Sequence, residues 1–184
     1  GIRGSDVAKE AAAIILTDDN FASIVAAIEE GRAVYANIKK FVTYIFASNI
    51  PEIIPFVAFV LFKIPLPLTV MQILAVDLGT DMVPALGLGA EPPEPGIMDK
   101  PPRPKNKRLL DVPLLLRAYG FLGPIEAIAC MAVFFFIYFQ HGWVPGMLMP
   151  DSGVIYLTAT TMSLAGIVAT QIGNVFSCRT ERES

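Results

Sequence analysis

Carboxylates set in the middle of apolar stretches long enough to cross a bilayer constrain this chain more than any other feature. Residues 41–62 carry a single charge, Glu52. At about 1.5 Å per residue, such a run crosses a hydrocarbon core of roughly 30 Å as a helix. Residues 69–89 form a second run, interrupted by Asp77 and Asp81, residues 118–139 a third with Glu126, and residues 154–177 a fourth without charge. In lipid, a lone segment must satisfy its backbone polar groups internally, so four such runs predict four transmembrane helices and an all-α membrane protein. A chain that is 54% hydrophobic and only 17% charged departs from soluble composition in the same direction. Its 15 prolines and 14 glycines suit membrane helices interrupted at chosen points.

The short connections 63–68 and 141–153 read as hairpins on one side of the membrane. Of the 14 Lys and Arg, only Lys63 falls on that side; the other 13 lie in the N-terminal segment, the connection after the second run, or the tail. The positive-inside rule places both termini in the cytoplasm. A net charge of -3 with no aromatic-interleaved basic cluster argues against a nucleic-acid partner, and membrane lipid is the expected surrounding. His141 and Trp143, the only His and Trp, are expected as interfacial anchors. Cys130 and Cys178 form no CxxC, so neither a disulfide framework nor a structural metal site is expected.

The chain opens at Gly1 without a signal-peptide pattern and reads as part of something longer. Ser5 or Asp6 can cap a short helix through Ala12, Ile14 to Leu16 read as a strand, and Thr17-Asp18-Asp19-Asn20 read as a turn and cap. A helix followed by an unpaired strand is the expected edge of a larger α/β domain. Residues 21–40 are helix-compatible, with a polar face through Glu29, Glu30, Arg32 and Lys39, and run into the first apolar stretch without a Pro before Pro51. A continuous helix of about 60 Å follows, bent near Pro51 and Pro55, which can transmit motion between a cytoplasmic domain and the bilayer.

A mid-bilayer carboxylate is costly unless paired, protonated or facing a polar cavity, so it is a functional hypothesis by default. Glu52, Asp77 and Asp81 fall near the centres of two runs that a hairpin makes neighbours. Asn49 and Ser48 precede Glu52 by three and four residues, while Asp77, Thr80 and Asp81 share the same one-face spacing. These carboxylate, amide and hydroxyl oxygens suit hard cations rather than transition metals. Pro51, Pro55, Gly79 and Pro84 predict local unwinding that would add carbonyl oxygens. Tyr44, one turn before Ser48, and Gln171 and Asn174 of the fourth run are further candidate ligands or interhelical hydrogen-bond partners. Glu126 reads as a paired or protonated packing acid, or as a minor ligand.

The residues then resemble a family. Gly4-Ser5-Asp6-Val7-Ala8-Lys9 and Thr17-Asp18-Asp19-Asn20-Phe21 resemble the end of the phosphorylation domain of type II P-type cation-transporting ATPases. Glu30-Gly31-Arg32 resembles that family's stalk of helix five. Ser48-Asn49-Ile50-Pro51-Glu52-Ile53 and Asp77-Leu78-Gly79-Thr80-Asp81-Met82 resemble the ion motifs of helices five and six. The resemblance implies that residues 1–20 are a small α/β remnant of the phosphorylation domain, 21–40 a cytoplasmic stalk, and 41–184 helices five to eight of the transport domain. It implies a multi-pass protein of the cell membrane whose partners are lipid and the remaining domains and helices of a pump.

By that resemblance, Asn49, Glu52, Asp77, Thr80 and Asp81 hold the transported cation, with Tyr44, Ser48, Gln171 and Asn174 as additional candidates. The Asp77 to Ala85 run and the Tyr44, Ser48 pair are similar to the sodium, potassium pump branch, although Asn174 stands where that branch carries an Asp. Sodium or potassium is the implied cargo and calcium the alternative, with ATP and magnesium acting outside this sequence. No DKTG, TGES or TGDGVND motif occurs here, so this chain alone is expected not to hydrolyse ATP. Apart from the resemblance, the residues leave open a passive cation channel or antiporter subunit, and a structural subunit whose acids bind partner helices.

Overall fold

The computed structural model describes residues 4–18, 20–104 and 108–179. Asp19 of the expected turn and the basic residues Arg3, Lys105, Lys107 and Arg182 lie outside the described residues. Helix α1 (Asp6–Ala11) is capped by Ser5, whose hydroxyl accepts from the Ala8 N–H at 3.3 Å. The strand expected at Ile14 to Leu16 does not form, and the described residues contain no strand. The expected α/β remnant is thereby corrected to a short helix followed by irregular chain. A strand needs a hydrogen-bonding neighbour, and Ile14 stands 76% exposed with none beside it.

Asn20 caps α2 (Phe21–Ser48), its side-chain oxygen accepting from the Ala22 N–H at 3.0 Å. The helix passes Gly31 and Lys39 unbroken, stops at Asn49, and resumes as α3 (Ile50–Phe62), giving a span of 42 residues in all. Pro51 accounts for the interruption: it has no N–H to donate to the Ala47 carbonyl, while the Asn49 N–H still donates to the Ile45 carbonyl at 3.2 Å. In the second span, Thr69 forms a capping box with Gln72 and starts α4 (Val70–Ala75) one residue later than expected. A π-helical segment, Val76–Asp81, then leads into α5 (Met82–Gly89). The chain here is widened to i→i+5 bonding, not unwound as the sequence suggested.

The third span begins six residues before the expected 118, with Asp111 capping α6 (Val112–Arg117) through the Leu114 N–H at 3.0 Å. Arg117 hides this turn from a hydropathy reading, yet its guanidinium reaches the Ser177 carbonyl at the end of the fourth span. A second π segment, Ala118–Leu122, precedes α7 (Gly123–Gln140), and α8 (Gly153–Arg179) completes four spans long and apolar enough to cross a membrane. Helix α7 packs along α8 and α3, and α2 packs on α5. At Gly123 a Cβ would lie only 2.6 Å from Ile50 Cγ1, so glycine is what lets the first and third spans approach.

Apolar clusters stack along the bundle. One joins Tyr44, Ala47, Ala85, Leu88, Ala118, Leu122 and Cys178; the next joins Leu68, Val76, Cys130 and Ile167. Asp81, Glu126, Gln171 and Asn174 are buried polar residues between these two layers, whereas the buried Thr160 and Ser163 of the fourth span lie beyond the second. The connection after α5 folds back on the stalk half of α2: Asn37 Nδ2 donates to the Glu91 carbonyl at 2.6 Å, and Arg32 to those of Ile97 and Lys100 at 2.9 and 2.7 Å. Lys40 joins Glu91 and Glu94 at 3.0 Å each, and Lys39 joins Asp111 at 3.2 Å. At the outer end, the Trp143 ring lies against Phe135 and Phe139, and its Nε1 donates to the Met147 carbonyl.

Candidate cation site

The interruption at Asn49 and the π segment of span two face the same problem, which is to turn polar groups inward without unsatisfied backbone. Tyr44, fully buried, spans the gap by donating its hydroxyl proton to the Thr80 carbonyl. That bond couples the end of α2 to the π segment and fixes the depth of Asp77 and Asp81 relative to Glu52. Glu52, Asp77 and Asp81 each present a carboxylate oxygen, and these oxygens lie within 4.8 Å of one another. An atom placed centrally among three such oxygens sits at most about 2.8 Å from each, close to the range over which hard cations take oxygen ligands.

Three ionised carboxylates at this separation repel by several kcal/mol per pair, since two like charges at 4 Å cost about 4 kcal/mol at an effective dielectric of 20. Among the described residues no Lys or Arg forms an ion pair with any of them. A cation or protons must therefore offset the charge. Gln171 of α8 donates from Nε2 to Asp81 Oδ1 at 2.7 Å, which leaves the second Asp81 oxygen and the Gln171 carbonyl oxygen for other partners. The buried side-chain polar atoms without a hydrogen-bond partner among the described residues are Ser48 Oγ, Glu52 Oε1, Glu126 Oε2 and Gln171 Oε1. All four are oxygens, and all belong to this polar layer. Glu52 Oε1, Glu126 Oε2 and Gln171 Oε1 accept while the Ser48 hydroxyl both donates and accepts, so the set can take a cation, a proton or water.

Of the residues picked from sequence, the structure brings Glu52, Asp77, Asp81 and Gln171 together, with Ser48 beside Asp81 and Tyr44 but outside hydrogen-bond geometry to either. Thr80 spends its hydroxyl proton on the Val76 carbonyl at 3.1 Å, and its oxygen keeps free lone pairs. Asn49 sits half-buried at the junction of α2 and α3, with no side-chain capping bond. Asn174 lies apart from the three acids: its Nδ2 donates to Glu126 Oε1 at 2.6 Å, and its Oδ1 accepts from Cys178 Sγ at 3.4 Å. Glu126 is only 2% exposed, so the acid given least weight in the sequence is as deeply buried as any. Its depth was the available signal, because Leu122 and Cys130 flank it as apolar layers.

Residues 65–184 match the family described as "Cation transporting ATPase, C-terminus". The chain belongs to the P-type cation-transporting ATPases. Sodium/potassium-transporting ATPase subunit alpha of Drosophila melanogaster is 43% identical over 209 aligned residues, which take in 100% of this chain and 20% of the relative. The alpha-3 subunits of Gallus gallus and Homo sapiens are each 41% identical, covering 100% of this chain and 21% of their own length. The chain thus spans about a fifth of the length of the curated relatives it matches. Within this ATPase chain, the family match takes in Asp77, Asp81, Glu126 and Gln171, and the alpha subunits align with Glu52 as well.

Proposed function

We propose that this chain is the ion-binding membrane part of an ATP-driven cation pump of the sodium/potassium-transporting kind. The observation that carries the reading is the convergence of Glu52, Asp77 and Asp81 oxygens within 4.8 Å, from two spans, with no basic partner among the described residues. Asp81 is the shared ligand: it is 7% exposed and is held from the far side by Gln171. Glu52 and Asp77 complete the charge, while Asn49, Ser48 and Thr80 contribute neutral oxygens. Tyr44 positions the two spans, and Asn174 acts through Glu126.

Residues 1–20 belong to the end of the cytoplasmic phosphorylation domain, 21–40 to the stalk of helix five, and 41–184 to helices five to eight. ATP and magnesium act on an aspartate outside this sequence. The stalk carries the resulting motion to Asn49, where the helix is already interrupted, and so opens and closes the acids to either side. The cation is the cargo, and the protein is multi-pass in the cell membrane with both termini cytoplasmic. ATP hydrolysis by the complete pump, measured separately with sodium, potassium and calcium, tests this. Stimulation by sodium and potassium supports it, stimulation by calcium alone replaces the cargo, and cation flux without hydrolysis favours a passive channel.

A further inference from the structure

The stalk half of α2, the loop after α5, the end of α6 and the end of α8 border a cavity of about 850 Å³. Six basic side chains line it, Arg32, Lys39, Lys40, Lys100, Arg103 and Arg117, against one acid, Glu94. Glu91 and Asp111 stand outside the lining and pair with Lys40 and Lys39. With both counted, six positive charges still face only three negative ones. Arg32 and Arg117 make no ion pair among the described residues; they donate to main-chain carbonyls, which orient their charge without neutralising it. Excess positive charge in a cleft with low-dielectric walls draws anions.

The spacing of these groups selects the anion. Arg32 and Lys39 are seven residues apart on one face of α2, about 10 Å along its axis and farther than one phosphate can bridge. Lys100 and Arg103 approach from the loop: Lys100 shares Glu94 with Lys40, and the Arg103 guanidinium lies 4.1 Å from the Tyr35 ring centre. The volume falls among those of ligand pockets, roughly 300–1,000 Å³, and exceeds what a single phosphate fills. At one end the cavity is bordered by Thr43, Arg117 and Cys178, which stand at the margins of the first, third and fourth apolar runs. A headgroup still attached to its acyl chains can therefore enter from the membrane surface.

We propose that this cavity binds the headgroup of a polyphosphorylated inositol lipid, held by Arg32 and Lys39 on the stalk side and by Lys100 and Arg103 on the loop side. Basic pockets between membrane helices on the cytoplasmic side recognise such headgroups by charge. Lipid bound there ties the stalk to the loop. The assignment takes the cytoplasmic placement of the stalk from the reading above and is independent of which cation is carried.

The test is the binding of a fluorescent short-chain phosphatidylinositol bisphosphate to the complete pump in neutral detergent, read by anisotropy above protein-free micelles. The native protein is compared with Glu94→Gln and with the double variant Lys100→Gln, Arg103→Gln, whose two positions are both exposed. Native binding should saturate. At about fivefold for each basic side chain near a membrane surface, the double variant should bind about thirtyfold more weakly, and Glu94→Gln, which removes the one lining acid, about fivefold more tightly. A loosened loop would weaken both variants, so the opposite signs separate charge recognition from structure. Equal affinity of the native protein and the double variant overturns the proposal, as does weakening in both variants. Soluble inositol trisphosphate displacing the probe as well as unlabelled lipid does overturns the lipid source, and inorganic phosphate doing so at the same concentration overturns the requirement for several phosphates.

Discussion

Asp81→Asn alters charge and almost nothing else. The side-chain volume is kept, and the new amide oxygen still accepts from Gln171 Nε2, now 2.7 Å from Asp81 Oδ1. The lost quantity is the attraction between a carboxylate and a cation held at most about 2.8 Å away, worth about 6 kcal/mol at an effective dielectric of 20. The amide dipole recovers part of this, leaving a net loss of about 4 kcal/mol, roughly a thousandfold in affinity. Folding moves the other way. Removing one of three mutually repelling carboxylates, and burying an amide in place of a charge, relieves the cation-free protein.

The assay is cation-dependent phosphorylation of the complete pump, paired with thermal unfolding in detergent without added cation. The half-saturating cation concentration should rise by about a thousandfold, which appears as lost stimulation at ordinary concentrations, while the unfolding temperature stays level or rises. A half-saturating concentration within threefold of native would refute the electrostatic reasoning. A native response to cation with a lowered unfolding temperature would show that Asp81 is structural.

Gly123→Ala should destabilise the bundle by about 1–3 kcal/mol, because its Cβ would meet the branched carbons of Ile50 at 2.6 and 2.7 Å; an unfolding temperature equal to native would contradict the close approach. The clasp between stalk and loop should loosen in acid. Burial pushes the Glu94 carboxyl up, but its hydrogen bond and charge pairing with Lys40, and then with Lys100, hold it below the ordinary carboxylate value. Its contribution is therefore present above the unfolded-state value and lost as pH falls through the folded one, and Glu94→Gln should abolish that part of the acid dependence of hydrogen exchange in residues 90–104. A Cys placed at Leu148, 97% exposed, should react with an impermeant reagent from outside cells while one placed at Asp99 is spared; the reverse pattern inverts the topology.

The four spans were readable because lipid forces every backbone group into a helix and leaves a long apolar run as the only solution. Glu52, Asp77 and Asp81 were readable for the complementary reason, that unpaired charge in such a run needs an explanation. What the sequence hid depends on geometry between distant residues. The Glu126–Asn174 bond joins positions 48 apart, and neither residue alone distinguishes a ligand from packing. The π segments at Val76–Asp81 and Ala118–Leu122 carry no local pattern that separates them from α-helix. The early start of span three was masked by Arg117, whose charge is spent on a carbonyl. Ile14 to Leu16 have strand composition, but composition cannot supply the neighbouring strand that pairing requires.

The claim that the three acids hold the cargo is tested most directly by anomalous diffraction from crystals of the complete pump grown with rubidium or thallium in place of potassium. The account places an anomalous peak among Glu52, Asp77 and Asp81, within about 3 Å of an oxygen of each. Peaks confined to positions away from these carboxylates, with the three acids instead hydrogen-bonded to one another, would contradict it.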